Sequence, residues 1–111
     1  MNRDYHVKKN TDIEKIIQAK NSVGDSYFVI YRKENHDNPH MHFAISVPKK
    51  FGNAVKRNQA KRRVRDVISN HRFKNNFDFF VVVKPSANQL GYQEIADDLH
   101  KLFARAKLLE G

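Results

Sequence analysis

From Met41 to Pro85 the sequence runs strand, helix, strand, and that succession constrains the fold more than any other feature. Met41, Phe43, Ile45 and Val47 project from one face of an extended segment, and His42, Ala44 and Ser46 from the other. After the break at Gly52 the period changes. Ala60, Val64, Val67 and Ile68 recur at i, i+4, i+7 and i+8, the stripe of a helix that must dock on a sheet. DFFVVVKP then returns to β-branched and aromatic residues and is ended by Pro85. A helix linking two strands predicts one layer of helix on one layer of sheet and, from pattern alone, a right-handed crossover.

The flanking segments complete an alternating α and β chain. NTDIEKIIQAK places Thr11 and Glu14 at capping-box spacing and Ile13, Ile16 and Ile17 on one face, which predicts a short helix. SYFVIYRK reads as a strand with Tyr27 and Tyr31 on one side, followed by a loop at ENHDNPH. Ile95, Leu99, Leu102, Phe103 and Ala106 define a C-terminal helix. With 111 residues, 40% of them hydrophobic, the chain can bury one modest core, so residues 1–111 are expected to form a single domain. The small and mildly polar side chains His42, Ala44 and Ser46 on the second face of their strand read either as a plain solvent-facing surface or as the floor of a shallow groove, which Tyr27 and Tyr31 are available to line.

Charge says what such a domain is for. Lysine and arginine number 21 against 12 acidic residues, a net charge of +9. Residues 49–66 carry Lys49, Lys50, Lys56, Arg57, Lys61, Arg62, Arg63 and Arg65 against Asp66, so eight cations less one anion put +7 in one segment. On a helix Arg57, Lys61 and Arg65 form a row at i, i+4 and i+8, with Asn58 and Arg62 beside it. Like charges at that spacing repel by roughly 0.2–0.5 kcal/mol per pair, so a merely solvated face would alternate signs. The row predicts a polyanion-binding surface. Its apolar stripe is wide enough for internal docking and too narrow for a lipid surface, while arginine forks and an embedded asparagine suit phosphates and base edges. The partner is therefore expected to be a structured nucleic acid rather than a membrane.

Several chemistries lack their residues. The chain has no cysteine, which removes disulfides, thiolate nucleophiles and cysteine-bound zinc and favours a reducing, cytoplasmic setting. No window approaches the roughly 20 apolar residues of a membrane span. His36, His40 and His42 with Asp37 are a candidate metal cluster, but no fourth ligand is suitably spaced and a polar hairpin loop is the preferred reading. Asp97 and Asp98 diverge by about 100° on their helix and read as solvated. Asp78 has no paired carboxylate for a two-metal nuclease. No catalytic side chain and no protein-held metal is assigned.

FGNAVKRNQAKRRVRDVI resembles the signature of the bacterial ribonuclease P protein subunit, whose helix carries an arginine-asparagine-arginine core. VKKNTDIEKI resembles that family's N-terminal helix, YFVIY its first long strand, AISVPKK the strand before the basic helix and DFFVVVKPSA its late strand and loop, so the resemblance runs from Val7 onward. It implies an α+β two-layer sandwich of αβββαβα order, like domain 2 of ribosomal protein S5, with a left-handed βαβ crossover. It also implies a monomeric protein within a ribonucleoprotein: the ribonuclease P RNA removes the 5′ leader of precursor tRNA with Mg²⁺ held mainly by RNA and substrate, while the protein grips both RNAs. By position Lys49, Lys50, Asn53, Lys56, Arg57, Asn58, Lys61, Arg62 and Arg65 would bind RNA, and Lys9, Ile13, Ile17, Tyr31 and Ser46 would line the leader groove. Two departures stand out: Gln59 replaces the second arginine of the core, and Ile13 and Ile17 stand where phenylalanine is common. From the residues themselves, a non-catalytic RNA-binding protein of ribosomal or chaperone type and an autonomous metal nuclease stay open as alternatives.

Overall fold

The structure, a computed structural model, describes residues 10–110, with side chains from 13 onward. Helix α1 (Asn10–Gln18) leads into strand β1 (Ser22–Gly24), β2 (Phe28–Glu34) and β3 (His42–Ser46). Helix α2 (Ala54–Ser69), strand β4 (Phe77–Val83) and helix α3 (Tyr92–Arg105) follow, with 3-10 turns at Lys49–Phe51 and Pro85–Gln89. This is the expected αβββαβα order. The Thr11 side chain, and with it the expected capping box, lies outside the described residues.

The four strands pair in the order β1-β2-β4-β3. β2 is antiparallel to β1 and β4, and β3 is parallel to β4, so α2 is the crossover of a βαβ unit. β4 therefore has a strand on each side, which explains why FDFFVVV is almost continuously apolar. Because β4 separates β2 from β3, the loop between them does not close a hairpin, contrary to expectation. It is tied to the start of β4 instead, with Asn35 N donating to Asn76 O at 2.6 Å and Asn38 Nδ2 to Asp78 Oδ1 at 2.6 Å.

Strand β1 has only Val23 as an apolar residue, too little for periodicity to reveal it. Gly24 fits there because a Cβ would stand 3.0 Å from the Phe28 carbonyl oxygen, which closes the turn by accepting from Asp25 N. Tyr27 precedes β2, in a turn where the Asp25 carboxylate accepts from the Tyr27 and Phe28 amides. It packs against the large core, whereas Tyr31 packs on the opposite face, so the two tyrosines do not share a groove.

Helices α2 and α3 cover one face of the sheet. Phe28, Ile30, Phe79 and Val81 from the strands and Ile68, Leu99, Leu102 and Phe103 from the helices are all fully buried there. Each such side chain contributes roughly 1.5–3 kcal/mol by leaving water. On the other face α1 presses Ile16 onto Ala44 and Phe80, with Ile13, Tyr31 and Val82 packed around them. Among the described residues no helix is long and apolar enough to cross a membrane.

Candidate nucleic-acid interface

Helix α2 starts where the sequence predicts. Asn53 caps it, its side-chain oxygen accepting from Lys56 N at 2.9 Å, and no acidic residue occupies the first turn, so the positive end of the helix dipole is left uncompensated. Ala60, Val64, Val67 and Ile68 face the core. A turn of 100° per residue then puts Arg57, Lys61 and Arg65 on one shoulder of the helix and Lys56, Gln59 and Arg63 on the other. Asn58, Arg62 and Arg65 are exposed, while Arg57 and Lys61 are half-buried along their stems. The Arg57 Nε is enclosed without a hydrogen-bond partner. Among the described residues no salt bridge involves a lysine or arginine of α2. Its one acid, Asp66, accepts from the Tyr92 hydroxyl at 2.5 Å.

The shoulders look in different directions. α2 packs over β3 and meets α3 on its other side, and α3 packs over β1 and β2. The Lys56, Gln59 and Arg63 shoulder faces α3, with Ile95 among its neighbours. The Arg57, Lys61 and Arg65 row consequently stands towards the outer edge of β3. Lys56, which the resemblance places with that row among the RNA-binding positions, is on the opposite shoulder, and so is Gln59. Lys49 and Lys50 are exposed in the turn that precedes α2, and Asn53 spends its side-chain oxygen on the cap.

The face under α1 is ordered by strand register. Val29, Val82 and Ser46 make one row across the sheet, Tyr31, Phe80 and Ala44 the next, and Lys33, Asp78 and His42 the third. Ile16 and Ala44 are each 2% exposed, so α1 covers the middle row, where a bare floor of small side chains was expected. Tyr31, Ser46 and Ile13 are half-buried and Ile17 is 39% exposed, which gives this surface an open margin. Lys9 lies outside the described residues. Phe80, stacked near-parallel to Tyr31 with ring centroids 6.3 Å apart, is an aromatic member that the sequence reading missed. Its alternation with Phe79 and Val81 along β4 was the available signal.

The histidine cluster resolves differently. His42 Nδ1 is 3.0 Å from Asp78 Oδ1 and His36 Nε2 is 2.5 Å from Glu34 Oε1, while the His40 and His42 rings lie 4.8 Å apart. Among the described residues no three His, Asp or Glu side chains gather where they could hold a metal ion. Asp97 is exposed and accepts from Gln93. Asp98 is not solvated as expected: its side chain is 14% exposed and its Oδ2 has no hydrogen-bond partner. Burial, then the neighbouring Asp25 carboxyl, raises its pKa to about 6. Its place one turn from Ile95 and Leu102, on the buried stripe, was the overlooked signal.

The match to known proteins is extensive. A family profile described as Ribonuclease P matches residues 1–107. The ribonuclease P protein component of Acholeplasma laidlawii is 46% identical over 112 aligned residues, covering 99% of this chain and 96% of that protein. That of Limosilactobacillus fermentum is 37% identical, covering 99% of this chain and 98% of its own length. A solved Staphylococcus aureus RNase P protein, a mutant described as defective in mRNA degradation activity, superposes with a TM-score of 0.90 at 32% identity, over 96% of this chain and 92% of that one. With the order of elements and the basic helix already in agreement, the chain belongs to the ribonuclease P protein family.

Proposed function

We propose that this chain is the protein component of a bacterial ribonuclease P and that it works by holding RNA rather than by supplying catalytic side chains. In this reading the Arg57, Lys61, Arg62 and Arg65 surface, with Asn58, grips the catalytic RNA. Lys49 and Lys50 extend the grip at the uncompensated end of α2. Asn53 acts mainly by fixing where that helix begins. The observation that carries the reading is the cationic row of α2 without acidic partners, an arrangement that costs self-repulsion unless phosphates approach it.

The 5′ leader of precursor tRNA runs over the margin of the α1 face, where Tyr31 offers stacking and Ser46, Ile13 and Ile17 offer close contact. β3 is an edge strand, and Ser46 at its end is joined by only a few residues to the start of α2. An RNA complex spread around that edge could reach both surfaces at once. Mg²⁺ supports hydrolysis in this scheme and is held mainly by phosphates of the RNA and the substrate. What the protein adds is affinity for substrates that still carry a leader, and neutralisation of phosphate charge near the cleavage site. The setting is cytoplasmic and the protein enters the complex as a single copy.

Binding of the ribonuclease P RNA as a function of salt tests the grip. Arg57→Ala or Arg65→Ala is expected to weaken binding and to flatten the plot of log affinity against log salt by about 0.7–0.9, the slope carried by one phosphate contact. An unchanged slope in both variants would mean that the row is not the contact surface.

A further inference from the structure

Beyond the C-terminal end of α2, two histidines that neither proposed RNA surface uses join that helix to α3. His71 follows Asn70, the C-cap of α2, and His100 is exposed in the second half of α3. Their ring nitrogens meet, with His71 Nε2 2.8 Å from His100 Nδ1 and the ring centroids 5.1 Å apart. The His71 ring is held on three sides: its Nδ1 lies 2.8 Å from the Val67 carbonyl oxygen, Phe73 is tilted against it at 6.1 Å and Phe103 stands edge-on at 5.6 Å. A carbonyl can only accept, so His71 donates from Nδ1 and, when neutral, presents a bare lone pair at Nε2.

A histidine that ligates a metal commonly gives its other ring N–H to a backbone carbonyl, which fixes the tautomer and aims the free nitrogen, and His71 is held in that way. Val67 belongs to the last turn of α2, the negative end of the helix dipole, which favours a cation nearby. Two imidazole donors select copper, nickel or zinc over Mg²⁺, which prefers oxygen ligands. Bonds of about 2.0 Å meeting at a right angle place two nitrogens about 2.8 Å apart, and a tetrahedral angle places them about 3.3 Å apart. The observed spacing matches the first. We infer that His71 Nε2 and His100 Nδ1 chelate a divalent transition-metal ion, copper or nickel in preference to zinc, and so clip the end of α2 to α3. Binding requires His100 to carry its proton on Nε2 rather than Nδ1, and its exposed ring to turn until both lone pairs converge on one point. Among the described residues no third His, Asp or Glu is placed to join the pair, so water takes the remaining positions on the ion. The site stands whether or not the proposed RNA grip is correct.

The untagged full-length protein, with its imidazole rings observed by NMR and titrated with Zn²⁺, Ni²⁺, Cu²⁺ and Mg²⁺, tests this. Zn²⁺ is expected to shift the His71 and His100 rings together and saturably, Ni²⁺ and Cu²⁺ to broaden the same two rings at lower concentrations, and Mg²⁺ to leave both unchanged. His100→Ala, at an exposed helix position, should weaken Cu²⁺ binding about tenfold or more, the loss of one of two protein donors, with an unchanged circular dichroism spectrum. His100→Gln, which can still donate a hydrogen bond to His71 Nε2, should weaken it as much, whereas a loss caused only by a broken contact between the helices would be rescued by glutamine. Saturating Cu²⁺ or Ni²⁺ should also raise the thermal midpoint of the parent chain and of neither variant. Absence of saturable binding below millimolar metal, an equal response to Mg²⁺, changes centred on the other histidines, or binding by His100→Gln as tight as by the parent chain would overturn the proposal.

Discussion

The two faces of the sheet are built from the same strands and differ in how they are closed. On the side of α2 and α3, helices of 16 and 14 residues bury Phe28, Ile30, Phe79 and Val81 completely. On the other side a helix of nine residues seals Ala44 and Phe80 beneath Ile16 but leaves Tyr31, Ser46 and Val82 half exposed. A short helix cannot cover the sheet, and what it leaves uncovered is aromatic, small or mildly polar, the kind of surface on which an unpaired strand can lie. Stability and proposed leader binding are therefore separated onto opposite sides of one sheet. Substitutions on the two sides should then fail in different ways.

The largest effect belongs to the sealed face. Phe103→Ala removes a fully buried ring that packs edge-on against Phe73 and Phe79, and should cost about 3–5 kcal/mol in urea denaturation. A cost below about 1 kcal/mol would mean that this face does not carry the fold. Tyr31→Ala on the open face should leave the fold nearly intact yet weaken binding of leader-bearing precursor tRNA by roughly 1–3 kcal/mol for a stacked base, with mature tRNA bound as before. Equal losses for the two substrates would erase the distinction between the faces.

A smaller effect probes the seam where α3 meets the turn between β1 and β2. Asp98 has a folded pKa of about 6 against an ordinary 3.8, so its contribution to stability is complete below about pH 3.8 and is lost as the pH rises through about 6. Burial also raises Asp25, but bonds from Asp98 and from the Tyr27 and Phe28 amides outweigh it and lower its pKa, so its contribution is lost on acidification instead. Lys101 Nζ, 3.6 Å from Asp98 Oδ1, and Lys84 Nζ, which donates to Asp25 O, are the cations at this seam. Asp98→Asn cannot charge, so its stability relative to the parent chain should rise by about 1 kcal/mol between about pH 5 and pH 8. Parallel denaturation midpoints across that range would contradict it.

Much of this was legible in the residues, for identifiable reasons. Helix α2 could be read because its apolar stripe and its cationic row have the same period, and β3 because its large and small side chains alternate strictly. β1 was hidden because three residues with one valine carry no pattern, although the family resemblance supplied the fourth strand. Pairing across the sequence was out of reach: nothing local says that β4 inserts between β2 and β3, that Asp78 meets His42, or that Asp98 is buried against Asp25. On α2, Lys56 belongs to the same charged segment as the Arg57, Lys61 and Arg65 row, and the angle around the helix puts it on the other shoulder.

The central claim is that the chain serves a catalytic RNA. Purified protein added to bacterial ribonuclease P RNA at low Mg²⁺ tests it most directly, with 5′ maturation of precursor tRNA as the readout. The account predicts strong stimulation by the parent chain, much weaker stimulation by a variant combining Arg57→Ala and Arg65→Ala, and no cleavage by the protein without RNA. No stimulation by the parent chain, or cleavage by the RNA-free protein that is lost on mutating a carboxylate such as Asp78, would contradict it.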